Sequence, residues 1–432
     1  YFRTLHSLAF RRLGIKKENV MQRRHYQDFG RRVKEEINYA DYENDHNGIF
    51  TSDSEYLRIV NLAILKGITA EQQYNLNEHN QDLELDKLKI ISNELQRYKK
   101  EHNLIDFNDM ILEFTKSDAA VPKFDVVFID EAQDLSRMQW DMAKAIWQKT
   151  TDSFIAGDDD QAIFRWAGAD VDSFIAQEGQ MLPLQQSYRI PSKVHGLAMG
   201  IINKIKTRIN KSWNPKIHEG SLSRYDDFED INMSSGEWLV LARTKYMLDK
   251  LEPTLYESGY YYNNKFRKQK EHTLHLAALD WENLCKGQLL SYDQVVRIYG
   301  YMHVDKTKLK SMLKDSMYDM DTLKKHHGLK TNAVWFEAFD AAPRREINYL
   351  KQMRRRGEKL NQAPRITLST IHGAKGGEAE NVVLLTDLSF NTMKSYEKNP
   401  DDENRLFYVG ATRTKEHLHI IRPQQDNKGY DL

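Results

Sequence analysis

The sequence predicts an α/β fold with two parallel-sheet domains, each interrupted by a mainly helical insertion. Short continuous apolar runs end abruptly in acidic or polar clusters, and two long stretches between these runs have helical periodicity instead. Continuous runs of this length suit parallel strands that helices cover on both faces, whereas alternating runs suit half-exposed strands. The runs on which the prediction depends are FDVVFI at 124–129, SFIA at 153–156, EWLVLA at 237–242, ITLST at 366–370 and NVVLL at 381–385.

The composition limits the partners and the compartment that fit the chain. Its 432 residues carry 63 Lys and Arg against 63 Asp and Glu, so a polyanion has to be met by local patches rather than by an overall basic field. Cys285 is the single cysteine, which excludes a disulfide framework and a cysteine-based zinc or iron–sulfur site. No apolar run approaches the length of about 18 residues that a membrane span needs, so no membrane partner is expected. We expect a soluble protein of the cytoplasm, either bacterial or encoded by a phage.

Helical periodicity marks the two insertions and thereby the domain boundaries. Within residues 15–104, apolar residues between Leu88 and Tyr98 repeat every three or four positions, and charged residues fill the other positions. A similar texture returns within residues 265–362. The predicted division is domain 1A at 1–14 and 105–190, helical insertion 1B at 15–104, domain 2A at 191–264 and 363–432, and helical insertion 2B at 265–362.

The strongest chemical signal is the pair Asp130 and Glu131, which directly follows the first apolar run. Two adjacent carboxylates at a strand end can divide the work of nucleotide hydrolysis: the first holds Mg²⁺, and the second orients and deprotonates the attacking water. Acidic residues after a strand also occur as helix N-caps in any α/β protein, so the pair alone leaves both interpretations open.

The segment DEAQD at 130–134, followed by GDDDQAIFRW at 157–166, resembles motifs II and III of the UvrD/Rep-type superfamily 1 helicases. Further matches to this family appear along the chain in the family's order. They are TLHSL at 4–8, LIDFNDM at 104–110, QSYR at 186–189, LVLART at 239–244, TIHGAKGGE at 370–378 and RLFYVGATR at 405–413. The resemblance implies that both parallel-sheet domains are RecA-like domains of the P-loop NTPase type.

The resemblance also implies a site for ATP and Mg²⁺. Asp130 matches the Mg²⁺-binding residue, Glu131 the general base, and Gln161 an amide that senses the γ-phosphate. Arg189 and Arg413 match arginine fingers, since a planar guanidinium offers two contacts to developing phosphoryl charge. Taken alone, a glutamine is more often a solvated loop residue, and an arginine is more often part of a surface ion pair. By the same resemblance Glu378 binds the ribose, and Tyr188 either lies near the base or is structural.

A second set of residues matches family positions that bind single-stranded DNA. Phe164 and Trp166 are two residues apart, so in an extended loop they would point the same way and stack on unpaired bases. His6, Thr370 and His372 match positions that contact the strand backbone, which implies binding that is largely independent of sequence. A lone aromatic residue is usually part of the core, and Phe164 suits that role too. Basic groups that suit phosphates, or simply a solvated face, are Arg11 and Arg12, Arg23 and Arg24, and Arg344 to Arg356.

The phosphate-binding loop of this family, G-x-x-x-x-G-K-[ST], does not occur in the sequence, since none of its 21 glycines is followed by lysine. In relatives this loop lies ahead of the segment that TLHSL resembles, and the present sequence begins at Tyr1 without a methionine. We therefore expect an N-terminally incomplete sequence. The alternative is a natural protein that has lost hydrolysis and acts as a scaffold.

The function that the sequence predicts is that of an ATP-dependent single-stranded DNA translocase or DNA helicase, moving 3′ to 5′, in repair, recombination or replication. Its expected partners are single-stranded DNA, junctions of single-stranded and duplex DNA, and a replication or repair loading partner. Two alternatives stay open: a catalytically silent DNA-binding or scaffold subunit without the P-loop, and the helicase portion of a helicase–nuclease.

Overall fold

The computed structural model describes residues 2–37, 40–41, 51–76, 83–267 and 273–432. These residues form two compact units, each built from several stretches of the chain. Unit 1 comprises Tyr1–Leu184, Ile202–Ser212 and Asn399–Tyr408, and unit 2 comprises Gln185–Ile201, Trp213–Lys398 and Val409–Leu432. The predicted α/β class is confirmed, because both units combine parallel strands with helices. The predicted four-part division is finer and stays a prediction.

Most of the regular secondary structure of unit 1 is helical, and polar side chains in the first turns explain where several helices begin. Asp106 accepts the N–H of Asp109 at 2.8 Å, while Asp109 accepts the N–H of Asp106 at 3.0 Å. Ser136 and Gln139 form the same reciprocal capping box. The helices are α1 (Leu5–Arg12), α2 (Arg23–Val33), α3 (Glu55–Lys66), α4 (Ala70–Leu76), α5 (Leu85–Glu101), α6 (Phe107–Lys116), α7 (Arg137–Trp147) and α8 (Val171–Ile175).

Apolar packing in unit 1 includes a cluster inside the stretch predicted as insertion 1B and a cluster that reaches outside it. The first lies between Met21 and Tyr98. The second joins Ala9 to side chains between Met110 and Ile146 and also takes in Leu65 from α3. Because Leu65 belongs to the predicted insertion, the helical stretch and the remainder of unit 1 share a core.

The strands of unit 1 are short and few among the described residues. Strands β1 (Ala40–Asp41) and β2 (Thr51–Ser52) pair antiparallel, whereas β3 (Phe124–Ile129) and β4 (Thr150–Ile155) pair parallel at the predicted apolar runs. The expectation that helices cover both faces is wrong for this parallel pair. Phe128 and Phe154, which face each other in register, are 76% and 51% exposed. Their rings stack with centroids 4.8 Å apart, so each shields part of the other from water where no described helix covers them.

Unit 2 contains a parallel sheet with six described strands. Their order across the sheet is β5 (Ser221–Tyr225), β12 (Thr414–Ile421), β11 (Ala379–Leu385), β6 (Trp238–Ala242), β10 (Ile366–Thr370) and β7 (Tyr262–Asn264). The apolar runs predicted at 237–242, 366–370 and 381–385 form its central strands. Val240 and Leu241, which point to opposite faces of β6, are both 0% exposed, and so are Val383 and Leu384 of β11, as expected for parallel strands covered on both faces. Strands β8 (Leu290–Ser291) and β9 (Met317–Tyr318) form a separate antiparallel pair.

In unit 2 the helix Lys245–Glu257 packs on this sheet through Met247, Leu248 and Leu255. A separate hydrophobic cluster lies between Tyr261 and Met353, and most of it falls within residues 265–362, the stretch predicted as insertion 2B. None of the helices in the described parts of the chain is both long and apolar enough to span a membrane. The helices from residue 192 onward are α9 (Ser192–Ile202), α10 (Lys245–Glu257), α11 (Thr273–Cys285), α12 (Tyr292–Tyr299), α13 (Met320–His326), α14 (Trp335–Ala338), α15 (Arg344–Arg355), α16 (Phe390–Lys398) and α17 (Pro400–Ala411).

Candidate functional site

Asp130 and Glu131 lie directly after the carboxyl end of β3, and both are exposed. Oδ1 of Asp130 accepts the N–H of Glu131 at 2.9 Å. Glu131 has a left-handed backbone conformation with φ of 52°, which residues other than glycine adopt rarely and often at functional positions. Glu131 makes no capping hydrogen bond to the one-turn helix Ala132–Asp134 that follows it. The pair therefore lacks the geometry of the helix N-cap that the sequence left open.

A chain of hydrogen bonds connects the carboxylate of Glu131 to the side-chain amide of Gln161. Gln133, which is 1% exposed, donates to Oε2 of Glu131 at 2.6 Å and accepts the N–H of Asp158 at 3.0 Å. Asp158 accepts the side-chain N–H of Gln161 on Oδ2 at 2.8 Å. Gly157 leaves room for the side chain of Gln133 in this series of hydrogen bonds, since a Cβ at position 157 would lie 2.5 Å from Oε1 of Gln133. These partly buried hydrogen bonds restrict the side chains that make them, so Glu131 and Gln161 are held in one arrangement.

The carboxylates near β3 and β4 differ in how well they suit Mg²⁺, which takes oxygen ligands from one or two carboxylates together with phosphates and water. Asp130 offers an exposed carboxylate at a strand end. The carboxylates of Asp158, Asp159 and Asp160 lie within 4.8 Å of one another, but Lys211 ion-pairs with all of them. A metal ion would have to displace this lysine, so Asp130 fits the ion better.

Trp166 is 56% exposed and lies on the one-turn helix Arg165–Ala167, which follows the turn that carries Gln161. The expectation of an extended loop, with Phe164 and Trp166 pointing the same way, is wrong, because the chain turns after Phe164. Phe164 is half-buried. At Gly168 the backbone has φ of +102°, and a Cβ would lie 3.1 Å from the Cβ of Leu65. The loop therefore packs closely on α3 while the Trp166 ring extends into solvent.

His6 is largely enclosed within unit 1, although the sequence predicted a contact with DNA. Its ring packs edge-on against Phe107, with centroids 5.5 Å apart. Burial lowers the pKa of His6 to about 4, and the nearby Asp106 only partly opposes this. Lys99 pairs with Asp106 at 2.7 Å, and its Nζ also lies 2.7 Å from Asp109, so this carboxylate pair has its own counter-ion. His6 is therefore neutral at physiological pH.

Replacing His6 by Phe is expected to make the protein less sensitive to acid. The folded state holds the pKa of His6 near 4, below the unfolded value of 6.5, so the unfolded state binds an extra proton as the pH falls between these values. Between pH 7 and pH 5 the wild type should lose about 2 kcal/mol more unfolding free energy than His6→Phe. Urea unfolding at both pH values measures this difference. The exposed His102, replaced in the same way, serves as the control, and equal losses in wild type and His6→Phe would contradict the prediction.

In unit 2 the predicted nucleotide residues gather at the amino ends of β11 and β12. Glu378 directly precedes β11, Arg413 directly precedes β12, and the two strands pair side by side. Nη1 of Arg189 lies 3.5 Å from Oε2 of Glu378. The expectation that polar clusters lie beyond the carboxyl ends is therefore wrong for Glu378. A connection between parallel strands has to return to the amino edge of the sheet, so the last residue of the motif that begins at Thr370 ends there.

Arg189 is held by a turn and keeps part of its guanidinium unsatisfied. Oγ of Ser187 accepts the N–H groups of Arg189 at 3.3 Å and Ile190 at 3.1 Å. Nε of Arg189 is buried and has no hydrogen-bond partner among the described residues. A buried cationic N–H without an acceptor suits an incoming anion such as a phosphate oxygen. The neighbouring Tyr188 is 88% exposed, which is not the environment of a structural aromatic residue.

Arg413 is more deeply buried than Arg189, with only 2% of its surface exposed. Its Nε donates to the carbonyl oxygen of Val409 at 3.0 Å, and its Nη1 donates to that of Gly377 at 3.4 Å. These contacts join the loop before β11 to the end of α17. Arg413 would have to leave these carbonyl oxygens in order to contact a phosphate, whereas Arg189 needs no such change.

Thr370 and His372 lie at the opposite edge of the same sheet, at the carboxyl end of β10. Oγ1 of Thr370 accepts the N–H of Gly373 at 3.1 Å and so fixes the one-turn helix His372–Ala374. Nζ of Lys265 donates to the carbonyl oxygen of Gly373 at 3.1 Å. His372 is half-buried. The predicted strand contacts and the predicted nucleotide contacts of unit 2 are thus separated by the length of the strands.

Lys415 belongs to the cluster at β11 and β12, and the sequence interpretation missed it. Its Nζ lies 2.9 Å from Oε1 of Glu378. The hydrogen bond from Lys415 lowers the pKa of Glu378, with a smaller contribution from Arg189, so the carboxylate stays ionised. Residues two apart on a strand share a face, so recognising β12 would have placed Lys415 beside Arg413. Basic residues of unit 1 that the sequence interpretation also left unassigned are Arg208, Lys211 and Arg405.

Parallel sheets with paired carboxylates after one strand, and with arginines beside another, define an α/β protein of the RecA-like type. The family model described as the UvrD/REP helicase N-terminal domain matches residues 2–181, and the model described as the UvrD-like helicase C-terminal domain matches residues 345–425. Together these matches cover more than half of the chain. The chain belongs to the UvrD/Rep-type family of superfamily 1 helicases.

Several curated relatives are similar to this chain. The ATP-dependent DNA helicase PcrA of Bacillus subtilis is 23% identical over an alignment that covers 77% of this chain and 60% of the relative. The ATP-dependent DNA helicase srs2 of Schizosaccharomyces pombe is 28% identical over 39% of this chain and 23% of the relative. A probable DNA helicase II homologue of Rickettsia conorii is 27% identical over 36% of this chain and 26% of the relative. The chain thus spans at most about three fifths of the length of these relatives.

Proposed function

We propose that this chain provides the motor portion of an ATP-dependent single-stranded DNA translocase or DNA helicase. The proposed direction is 3′ to 5′, and the proposed setting is DNA repair, recombination or replication. Single-stranded DNA and its junctions with duplex DNA are the proposed substrates, and a replication or repair protein is the proposed loading partner. The family supplies the general class, and the arrangement within unit 1 supports the particular function.

The observation that carries the proposal is the continuous connection between Glu131, Gln161 and Trp166. Hydrogen bonds through Gln133 and Asp158 join Glu131 to Gln161. The exposed Trp166 ring follows Gln161 by five residues, on a loop that packs closely on α3. A motor needs a link between the groups that respond to the nucleotide and the groups that hold the strand. In this chain a short, well-packed segment provides that link.

For the nucleotide, we propose that Asp130 holds Mg²⁺, which would neutralise charge on the phosphates when bound. Glu131 accepts the proton of the attacking water, and Gln161 donates its amide hydrogen to the γ-phosphate. Arg189 offers its unsatisfied guanidinium N–H to the phosphates. Arg413 acts as the second arginine finger, while Glu378 binds the ribose and Tyr188 contacts the base.

For the strand, we propose that Trp166 stacks on a base and that Phe164 supports it from the half-buried side of the loop. Thr370 and His372 contact the strand backbone at the carboxyl end of β10. His6 is the least suited of the proposed residues to contact the strand, because its largely enclosed ring offers little surface to DNA. Stacking and backbone contacts do not distinguish bases, so binding is expected to be independent of sequence.

The test uses the protein encoded by the complete gene. We expect ATP turnover on the order of 10 per second in the presence of an oligothymidylate, a usual value for enzymes, and much slower turnover without it. Displacement of a labelled strand should need a 3′ single-stranded tail, and a 5′ tail or blunt duplex serves as the control. Strand-independent turnover, or unwinding only from a 5′ tail, would contradict the proposal.

A second candidate is a catalytically silent DNA-binding or scaffold subunit. It is favoured by one observation, namely that the 432 residues contain no Gly-Lys pair and hence no phosphate-binding loop. The two candidates differ in nucleotide binding. If the protein from the complete gene binds the oligonucleotide but neither binds nor hydrolyses ATP, the scaffold is the better description.

A further inference from the structure

Unit 1 contains a buried charge network around the turn Asp158–Asp160, which we call the acidic turn. The turn lies between the carboxyl end of β4 and Gln161, and its three carboxylates lie within 4.8 Å of one another. Asp159 and Asp160 are 1% and 0% exposed. Three adjacent like charges, two of them buried, repel one another strongly unless cations compensate them, so the turn can keep its shape only if basic residues from elsewhere in the chain neutralise it.

Arg208 supplies the first compensating charge, from about fifty residues further along the chain. Its Nε and Nη2 donate to the two carboxylate oxygens of Asp160 at 2.8 and 2.7 Å, which is a two-point contact. Burial alone would raise the pKa of Asp160, but Arg208 and Lys211 outweigh it, so the pKa is lowered. Asp160 is thus ionised and fixed in orientation. The N–H of the adjacent Ile209 donates to Oδ2 of Asp159 at 2.7 Å.

Lys211 supplies the second charge and contacts all three carboxylates. Its Nζ lies 3.1 Å from Oδ1 of Asp158 and 2.9 Å from Oδ2 of Asp160, and it also binds Oδ1 of Asp159. Burial would lower the pKa of Lys211, but the surrounding carboxylates raise it, so the lysine stays charged. The contact with Asp158 matters most, because the other oxygen of Asp158 holds the amide of Gln161. Lys211 therefore acts on Gln161 through Asp158.

Arg405 ties the backbone of the acidic turn to the same basic segment. The side chain is 0% exposed, its Nε donates to the carbonyl oxygen of Asp159 at 2.8 Å, and its Nη2 donates to that of Thr207. Asp401 accepts the N–H groups of Lys206 and Thr207 at 3.0 and 3.1 Å. Residues 206–211 are thus anchored on both sides, which fixes the positions of the charges that they present.

We infer that Lys211 and Arg208 are positioning residues, which hold the acidic turn in the shape that places Gln161 for the nucleotide and sets the start of the loop carrying Trp166. This inference rests on the proposed function for the role of Gln161. The contacts of Lys211 and Arg208 with the acidic turn do not depend on the role of Gln161. Neither residue contacts the reacting atoms, so both act through Asp158 and Asp160.

The test compares Lys211→Gln with wild type by two independent measurements. Amide hydrogen exchange should increase in residues 157–166 and stay unchanged in helix α7, because only the acidic turn loses its counter-ion. In the protein from the complete gene, strand-stimulated kcat should fall on the order of a hundredfold with little change in the KM for ATP, as expected for a displaced catalytic group. Lys149→Gln is the matched control. Lys149 pairs with Asp118 at 2.6 Å at the opposite end of β4.

Two further variants separate positioning from general stability. Lys211→Arg keeps the charge and should restore both measurements. The double variant Lys211→Gln/Asp159→Asn removes one positive and one negative charge together, and it should recover most of the protection in residues 157–166. The inference is overturned if exchange in residues 157–166 does not change, if it rises equally in α7, or if neither variant rescues. If wild type shows no strand-stimulated turnover, the proposed function fails, and the exchange experiments still decide the positioning role.

Discussion

Replacing Glu131 by Gln is expected to abolish most ATP turnover while ATP binding is retained. An amide has almost no basicity, so the attacking water loses the group that accepts its proton, and a loss on the order of 10²- to 10⁴-fold in kcat is typical for this change. The structure explains why the effect should be confined to chemistry. Gln133 donates to Oε2 of Glu131 at 2.6 Å, and the carbonyl oxygen of the new amide can accept the same hydrogen bond.

The measurement is a comparison of steady-state turnover with the dissociation constant for ATP, in the protein from the complete gene with Mg²⁺ and a saturating oligonucleotide. Glu113→Gln provides a control of identical chemistry, because Glu113 is an exposed carboxylate of unit 1 that pairs with Lys116 at 3.1 Å. If Glu131→Gln hydrolyses ATP as fast as wild type, Glu131 is not the general base. A parallel loss of ATP affinity would mean that Glu131 binds the nucleotide or the metal rather than the attacking water.

The central strands could be predicted from the sequence because burial on both faces leaves a direct signal. The runs in β6 and β11 are continuously apolar, and the structure shows why: neighbouring side chains that point to opposite faces of the sheet, such as Val240 and Leu241, are both 0% exposed. Strand β12 was not predicted. Its sequence TKEHLHII begins with four polar or charged residues, and its apolar residues are only Leu418, Ile420 and Ile421, all of them buried. Such a strand has no continuous run, so the criterion that found the central strands could not find it.

The position of Glu378 shows a limit of reasoning from a motif alone. The sequence predicts that TIHGAKGGE at 370–378 forms one polar cluster at a strand end, but its first and last residues lie at opposite edges of the sheet. Strands β10 and β11 both pair parallel with β6, which lies between them, so the connection from β10 to β11 has to cross from one edge of the sheet to the other. Strand order depends on contacts far apart in sequence, and no local pattern encodes it.

The basic residues that neutralise the acidic turn could not be predicted from the sequence for the same reason, because they lie far from the turn in the chain. GDDDQ at 157–161 is recognisable as a motif, yet nothing in it indicates that Arg208 and Lys211 neutralise its carboxylates. The segment KIKTRINK at 204–211 indicates a source of cations, because it has four basic residues within eight positions and no acidic residue. Three adjacent aspartates followed by glutamine need cations if they are buried.

Replacing Trp166 by Ala is expected to weaken the binding of single-stranded DNA by about 5- to 150-fold, which corresponds to the loss of one stacked base. The ring is 56% exposed, so its removal takes little apolar surface from the core, and the melting temperature should stay close to that of wild type. Fluorescence anisotropy with a labelled oligothymidylate measures the affinity. Phe390, which is 62% exposed in unit 2, is the control for the loss of an exposed aromatic ring.

An abasic strand separates stacking from contacts with the strand backbone. If Trp166 stacks on a base, wild type should bind the abasic strand more weakly than the normal strand, and Trp166→Ala should bind the two almost equally. The dependence of affinity on salt should be the same for wild type and variant, because it reports phosphate contacts that the indole does not make. Full discrimination between the two strands by Trp166→Ala would show that another side chain provides the stacking surface. A changed salt dependence would show instead that removing the ring displaces the phosphate contacts, which would give Trp166 a structural role in the loop.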